Sequence, residues 1–186
     1  AGFASLCAEG VEADDWIAAL ARRFSGGVPV VIASADKDFM QLVTPRVGLI
    51  NPNDKYERLW GEEEVRAKSG VGPEQIVDWL SLVGDSVDNI PGVPGVGAKT
   101  AAELLGQFGT ADALYRRLGE VKSERLRAAL QAAEGAVRRN QGLIRLRADL
   151  PLEFELEDWR PGPGDPGRLA GLFEGWGFRT MLAQLQ

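Results

Sequence analysis

The sequence contains no histidine and only one cysteine, Cys7, in 186 residues. Without histidine, the chain cannot build a Ser-His-Asp or Cys-His nucleophile system of its own. A zinc site of cysteine and histidine ligands is excluded for the same reason. A single cysteine cannot form an internal disulfide, which fits a reducing compartment, and we expect a cytoplasmic protein. The remaining catalytic groups are mainly Asp and Glu, whose oxygen atoms suit Mg²⁺ or Mn²⁺.

Long apolar runs are also missing from the sequence. No stretch approaches the roughly 20 apolar residues that a membrane-spanning helix needs, and the first ten residues lack the basic and apolar parts of a signal peptide. Apolar residues make up 45% of the chain and charged residues 26%, which is typical of a globular protein. We therefore expect a monomeric protein that does not associate with membranes.

The sequence has fewer basic residues than acidic ones, 21 against 27, which gives a net charge of −6. This value argues against simple electrostatic binding of DNA. The charge is unevenly distributed, however, with a net of −7 over residues 1–90, +4 over residues 91–150 and −3 over residues 151–186. An acidic part suited to cations is thus followed by a basic part suited to anionic groups, although a net of +4 over 60 residues is also within chance.

Hydrophobic periodicity predicts an α/β region followed by a mostly helical one. Helices are predicted at 12–24, 36–43, 61–69 and 73–83, and then through most of 98–146. Strands are predicted at 28–34 and 46–51, with a short third strand at 56–60 and a strand-like or extended segment at 151–159. The apolar run at 28–34 is typical of a strand buried on both faces of a parallel sheet. We predict a partial parallel sheet flanked by helices, which is incomplete because two confident strands do not make a stable sheet.

Acidic residues form three groups at informative places. Asp36 and Asp38 follow the predicted strand 28–34, at the sheet edge where sites of open α/β folds form. A further acidic group occupies the first turn of helix 12–24, and Asp85 and Asp88 are spaced to share one helix face. Helix capping and the helix dipole offer structural explanations for individual groups. The three groups together contain seven carboxylates, which are Glu12, Asp14, Asp15, Asp36, Asp38, Asp85 and Asp88. Seven carboxylates in one place would repel one another unless cations bind, so we predict that they converge on two divalent ions.

A glycine-rich turn follows the last acidic group. The stretch 84–89 reads Gly-Asp-Ser-Val-Asp-Asn, and Gly92, Gly95 and Gly97 then precede an Ala/Leu-rich helix. Bare amides and the positive dipole end at such a helix start can bind a phosphate. A simple connector is the alternative interpretation of any Gly/Pro-rich segment.

Four motifs in order resemble those of the 5′ nucleases, which include flap endonucleases and the 5′→3′ exonuclease domain of bacterial DNA polymerase I. They are Glu-Ala-Asp-Asp at 12–15, Ala-Asp-Lys-Asp at 35–38, Gly-Asp-Ser-Val-Asp-Asn at 84–89 and the glycine hairpin at 92–101. The resemblance implies a PIN-like nuclease core followed by a helix–three-turn–helix region. It also implies metal-dependent phosphodiester hydrolysis of duplex DNA with a 5′ end or flap, in replication and repair.

The resemblance assigns roles to individual residues. The expected metal-site residues are Glu12, Asp14, Asp15, Asp36, Asp38, Asp85 and Asp88, and all of them except Glu12 are expected to be catalytic. The expected DNA-backbone contacts are Gly92, Val93, Gly95, Val96, Gly97, Lys99 and Thr100. The implied cofactors are two Mg²⁺ or Mn²⁺ ions, with K⁺ as a further ion that carbonyls of the turn can hold. A location in the bacterial cytoplasm and at the nucleoid is implied as well, and whether a polymerase domain follows residue 186 stays open.

The expected division of the chain is a C-terminal part of the metal-binding core at 1–83, a DNA-binding region at 84–150 and an extension at 151–186 that packs back on the core. Family members carry further aspartates and a helical arch upstream of the matching region. We therefore expect an N-terminally truncated domain, whose 186 residues alone bind DNA weakly and cleave it little or not at all. Two alternatives stay open: a non-catalytic helix-hairpin-helix DNA-binding module and a ribonuclease of related fold.

Overall fold

The computed structural model describes residues 4–56, 58–151, 153 and 155–185. Contacts divide the chain into two units. The larger unit is Glu12–Leu150, and the smaller one consists of the two chain ends, up to Val11 and from Pro151 onward. Every residue predicted above to bind metal or DNA belongs to the larger unit.

The larger unit begins with an α/β region that follows the predicted order of elements. Its elements are α1 (Ala13–Phe24), β1 (Val30–Ala33), a 3-10 helix at Lys37–Leu42, β2 (Val47–Ile50), β3 (Leu59–Trp60) and α2 (Glu62–Ser69). The short α2 ends at Gly70, which adopts the left-handed conformation that favours glycine at a helix end.

The sheet has the order β1-β2-β3 and is mixed rather than parallel. β1 and β2 are parallel, with Val30 opposite Val47, whereas β3 runs antiparallel to β2. The parallel pair β1–β2 agrees with the predicted partial parallel sheet. The third strand, for which the sequence predicts no direction, is antiparallel, because a short connection can join neighbouring strands only in that direction. The prediction that β1 is buried on both faces is wrong, since Ile32 is buried but the side chain of Val31 is 52% exposed.

A helical region completes the larger unit and contains most of its core. Its elements are a 3-10 helix at Pro73–Gln75, α3 (Ile76–Val83), α4 (Ala98–Phe108), α5 (Ala111–Arg116), a 3-10 helix at Leu118–Glu120 and α6 (Glu124–Ile144). The apolar helix α3 packs against both α4 and α6, and Leu80 and Leu82 on it are fully buried. The carboxylate of Asp78 accepts hydrogen bonds from the Ala111 amide of α5 and from Gln141 of α6, which ties α3 to both of these helices.

The stretch between α3 and α4 is a loop, and Asp85 and Asp88 do not lie on a helix. Asp85 and Ile90 exchange both backbone N–H···O bonds, at 2.8 and 2.7 Å, which closes the loop at its base. Gly84 has φ +83°, and Asn89 has φ 55°, so two positions break helical geometry. The prediction that Asp85 and Asp88 share a helix face is therefore wrong, because local backbone pairing outweighs the three-residue spacing.

The smaller unit is helical at its carboxyl end. It contains a 3-10 helix at Leu156–Trp159, α7 (Pro166–Gly175) and α8 (Arg179–Leu185). The predicted strand-like segment 151–159 is wrong over Leu156–Trp159, while Leu152 and Phe154 lie outside the described residues. Within the described part of the chain, the structure has no helix that is both long and apolar enough to cross a membrane.

Gly84 and Gly92 bring the two ends of the loop that carries Asp85 and Asp88 into direct backbone contact. A Cβ added to Gly92 would lie 2.1 Å from the Val83 carbonyl oxygen, and one added to Gly84 would lie 2.4 Å from the Gly92 nitrogen. Both neighbours are backbone atoms, which cannot move aside as a flexible side chain can. Close packing of α3's end against the start of the glycine turn therefore requires glycine at both positions.

We expect Gly92→Ala to destabilise the protein by about 1–3 kcal/mol, because the new methyl group overlaps backbone and forces the loop to shift. Gly106→Ala is the matched control, since Gly106 lies within α4 and a Cβ there would meet nothing within 4 Å. That change should be neutral or stabilising by up to about 1 kcal/mol. Urea unfolding of both variants measures the difference, and equal stability of the two variants would contradict this packing.

Candidate active site

The carboxyl end of β1 presents the first pair of candidate metal ligands. Asp36 lies at the amino end of the 3-10 helix Lys37–Leu42, where its Oδ1 accepts a hydrogen bond of 2.9 Å from the Asp38 amide. The Asp36 amide in turn donates to Ser34 Oγ. These bonds hold the two aspartates in one tight turn and leave Asp36 Oδ2 outside that hydrogen bond.

The loop after α3 presents the second pair. Asp85 is 4% exposed, and its Oδ1 accepts a 2.9 Å hydrogen bond from the Val87 amide. Its Oδ2 lies 2.6 Å from Lys37 Nζ, so the loop is joined directly to the turn after β1. Asp88 is in hydrogen-bond contact with Asp85. The structure therefore brings both pairs together, and we call Asp36, Asp38, Asp85 and Asp88 the acidic cluster.

Charge repulsion within the acidic cluster is strong. Burial, followed by the charges of Asp36, Asp88 and Asp85, raises the pKa of Asp38 to about 7. The hydrogen bond with Asp85, followed by burial and further carboxylates, raises the pKa of Asp88. Burial acts to raise the pKa of Asp85 too, but hydrogen bonds from Lys37 and the Val87 amide bring it below its usual value.

The three acidic residues at the start of α1, which are Glu12, Asp14 and Asp15, differ in their surroundings. Burial, then the charge of Asp36, then those of Glu12 and Asp15, raise the pKa of Asp14, so this side chain is electrostatically linked to the acidic cluster. Glu12 is exposed at the amino end of α1. Asp15 accepts a 2.8 Å hydrogen bond from the Arg147 amide and also lies near the Arg147 guanidinium. Asp15 thus attaches α1 to the segment after α6.

The donor chemistry of the acidic cluster fits a hard divalent cation. Its ligands are carboxylate oxygens, and their mutual repulsion is relieved when a cation binds. Among the described residues, no three acidic or other metal-ligating side chains lie close enough together to hold one ion as they stand. The Lys37 ammonium lies 2.6 Å from Asp85 Oδ2, an atom that a metal ion would bind.

The glycine turn divides into residues that anchor it and residues that face outward. Val93 and Val96 are buried, and their amides donate to the Leu82 and Val93 carbonyls. Gly95, with φ +81°, and Gly97 are exposed, and no side chain caps the amino end of α4.

The outward-facing part of the turn is suited to phosphate. The Lys99 side chain is 91% exposed, and Thr100 lies beside it in the first turn of α4. Of the seven residues predicted to contact DNA, those with accessible groups are Gly95, Gly97, Lys99 and Thr100. Gly92, Val93 and Val96 serve the packing of the turn.

Three functional side chains were missed by sequence reasoning. The sequence does contain a clue to Lys37, because this residue lies between two aspartates of a predicted metal site. The fully buried Asn140 of α6 donates to the carbonyls of Ser81 and Pro91, at 3.2 and 2.8 Å, and so holds the start of the glycine turn. Gln41 donates to the Asp38 and Ile144 carbonyls. The bonds of Asn140 and the bond from Gln41 to the Ile144 carbonyl join distant parts of the chain, so no local pattern reveals them.

Two family models together match most of the chain. Residues 1–70 match the N-terminal resolvase-like domain of 5′-3′ exonucleases, and residues 71–166 match their C-terminal SAM-fold domain. The chain belongs to the 5′-3′ exonuclease family. The boundary between the two family domains falls just before the 3-10 helix at Pro73–Gln75, at the passage from the α/β region to the helical region.

Relatives and solved structures agree with this assignment. The chain is 40% identical to DNA polymerase I of Rhizobium leguminosarum over 95% of its own length but only 17% of the relative. It is 37% identical to the 5′-3′ exonuclease of Aquifex aeolicus, covering all of this chain and 62% of the relative. The solved bacteriophage T5 5′-exonuclease with bound zinc aligns with TM-score 0.68 at 28% identity, covering 76% of this chain and 52% of the phage protein. The fold and family predicted from the motifs are thus confirmed.

We expect the metal-free Asp38→Asn variant to gain stability relative to the wild type as pH rises from about 4 to about 7. A carboxyl whose pKa is raised on folding binds its proton more tightly when folded, so its contribution to stability is lost across this window. Asparagine removes that loss because it does not ionise. Urea unfolding in EDTA at several pH values measures the difference between variant and wild type.

Asp54→Asn is the control with the opposite sign. The Tyr56 amide, followed by Arg58, holds the pKa of Asp54 below its usual value. This variant should therefore lose stability relative to the wild type above pH 4. A stability difference for Asp38→Asn that does not change with pH would contradict the electrostatic description of the acidic cluster.

Proposed function

We propose that this chain hydrolyses phosphodiester bonds of duplex DNA at a 5′ end or flap, using divalent metal ions held by its carboxylates. The observation that carries the proposal is the acidic cluster at the end of β1, where the turn after β1 and the loop after α3 bring four carboxylates together. Burial, followed by the charges of the other carboxylates, raises the pKa of Asp38 to about 7. Bound divalent cations relieve the repulsion in such a cluster. Membership of the 5′-3′ exonuclease family supports the reaction class.

The proposed metal ligands are the acidic cluster and Asp14, with Glu12 and Asp15 acting through water or by positioning α1. Two Mg²⁺ or Mn²⁺ ions, when bound, supply an activated water on one side of the phosphodiester and stabilise the leaving oxygen on the other. Hydrogen bonds from the Asp38 amide to Asp36 and from the Val87 amide to Asp85 are already formed, and they would hold these two carboxylates in place for the ions.

The glycine turn is the proposed DNA-backbone contact. Backbone amides at Gly95 and Gly97 and the side chains of Lys99 and Thr100 can hold phosphate oxygens, which carry no sequence information. Carbonyls of the same turn are candidate ligands for K⁺. This turn directly follows the loop of Asp85 and Asp88. The proposed phosphate site is therefore next to the proposed metal site in the sequence.

The proposed partners follow from the relatives. Several are DNA polymerases I, of which this chain spans about a fifth, and one is a 5′-3′ exonuclease. We propose a monomeric nuclease module of the bacterial cytoplasm and nucleoid, joined to a polymerase or acting alone. The non-catalytic DNA-binding module is the weaker alternative, since the acidic cluster would only repel phosphates in a protein without metal ions.

We expect Asp85→Asn to reduce Mg²⁺-dependent cleavage of a 5′-flap duplex at least about a hundredfold while duplex binding persists. Asparagine keeps an oxygen for the Val87 amide, so the loop geometry is preserved. Asp88→Asn, at an exposed position, serves as a second variant with less effect on folding. The assay uses the 186-residue chain and, where the natural protein is longer, its full length. DNA binding without cleavage by the wild type in both forms would favour the non-catalytic alternative.

We expect Lys99→Ala to weaken duplex binding about equally for all DNA sequences and to reduce the salt dependence of binding by about one charge. The exposed ammonium of Lys99 lies at the amino end of α4, where phosphate is expected to bind. Lys55→Ala is the control, because Lys55 is also exposed but lies in the turn between β2 and β3. Binding measured by fluorescence anisotropy at several salt concentrations tests this, and equal effects of the two changes would remove the glycine turn from the interface.

A further inference from the structure

The ammonium group of Lys37 is in direct contact with the acidic cluster. Its Nζ lies 2.6 Å from Asp85 Oδ2, and its side chain is 39% exposed while that of Asp85 is almost fully buried. Removing an ionised carboxylate from water is costly unless an opposite charge compensates for it. The ammonium therefore stabilises the ionised form of Asp85 and joins the turn after β1 to the loop after α3.

Both oxygen atoms of Asp85 are engaged. Oδ1 accepts from the Val87 amide at 2.9 Å, and Oδ2 binds the Lys37 ammonium. Asp88 is also in contact with this carboxylate. The Val87 bond at Oδ1 belongs to the loop backbone, which favours Oδ2 as the atom that a divalent ion would take. An ion at Oδ2 and the Lys37 ammonium are both cations at the same oxygen atom, so they repel each other and compete for it.

A space into which the ammonium can move adjoins the acidic cluster. A pocket of about 250 Å³ lies at the carboxyl ends of β1 and β2. Lys37 lines it together with polar or charged residues, namely Ser34, Asp36, Asn51 and Lys68, and with apolar residues, namely Met40, Leu49 and Trp60. The long, flexible side chain of Lys37 can turn from Asp85 toward this pocket without unfolding the turn that carries it.

We propose that Lys37 is a built-in competitor of the divalent metal ion at Asp85. Its ammonium holds the acidic cluster together in the absence of metal and leaves Asp85 Oδ2 when an ion binds there. The inference rests on the proposed function, because it takes Asp85 as a metal ligand. Its consequence is that metal binds more weakly than the carboxylates alone would allow, and that the side chain of Lys37 changes partner as metal binds.

The first experiment compares Mn²⁺ binding by calorimetry in the wild type and in Lys37→Met, which keeps the length of the side chain but removes its charge. We expect the variant to bind Mn²⁺ roughly tenfold more tightly, because no ammonium must be displaced. The metal-free variant should also melt at a lower temperature at pH 8, since Asp85 then lacks its counter-ion. Lys68→Met is the matched control, as Lys68 lines the same pocket, and it should change both quantities less.

A second experiment follows Lys37 in the unaltered protein. Acetylation by an amine-reactive reagent, read out by mass spectrometry, should modify Lys37 slowly without metal and faster with saturating Mn²⁺. Lys99, which is 91% exposed and lies outside the acidic cluster, provides the internal reference. This measurement does not depend on any variant folding correctly.

The outcomes separate this inference from the proposed function. Equal or weaker Mn²⁺ binding by Lys37→Met, beside a wild type that binds Mn²⁺, overturns the competition and leaves the metal site standing. Unchanged acetylation of Lys37 on addition of Mn²⁺ to the same wild type also overturns it. A protein in which neither form binds Mn²⁺ at millimolar concentration overturns both the proposed metal site and the competition.

Discussion

The ion pair between Lys37 and the buried Asp85 is the contact on which the candidate site depends. A carboxylate with 4% exposure needs a compensating charge, and here that charge comes from the turn after β1. The pair thereby joins the loop after α3 to the turn of Asp36 and Asp38 at the edge of the sheet. The loop itself is closed by the paired backbones of Asp85 and Ile90 and by the contact of Gly84 with Gly92.

Helix α6 and the residues after it hold the surroundings of the cluster. Asn140 binds the Pro91 carbonyl at the start of the glycine turn, and the Ile144 carbonyl accepts from Gln41 below the turn of Asp38. The Arg147 amide then binds Asp15 of α1. One long helix therefore positions three segments that contribute candidate ligands or phosphate contacts. Such bracing matters for catalysis, since a misplacement of about 1 Å in a site can reduce a rate a hundredfold.

The acidic cluster and the glycine turn are neighbours along the chain, yet their charges have opposite effects on DNA. Carboxylates repel phosphates, whereas the exposed amides and Lys99 attract them. Cations at the acidic cluster would remove the repulsion, so the proposed binding of DNA beside the cluster depends on the ions. The overall charge of −6 therefore does not argue against DNA as a ligand, because the charge that opposes DNA is concentrated where cations are expected.

The sequence by itself determined the elements, their order and the family, because helical periodicity, β-branched runs and glycine signals act over a few residues. α1, β1, β2 and α2 lie within a few residues of their predicted bounds, and the aspartates at 36 and 38 follow β1 as expected. The tertiary structure decided the antiparallel direction of β3, the loop form of residues 85–90 and the pairing of Asp15 with Arg147. It also decided that Lys37 and Asn140 serve the site. These features depend on burial and on partners distant in sequence, whose energies arise only when the chain has folded, so no local pattern encodes them.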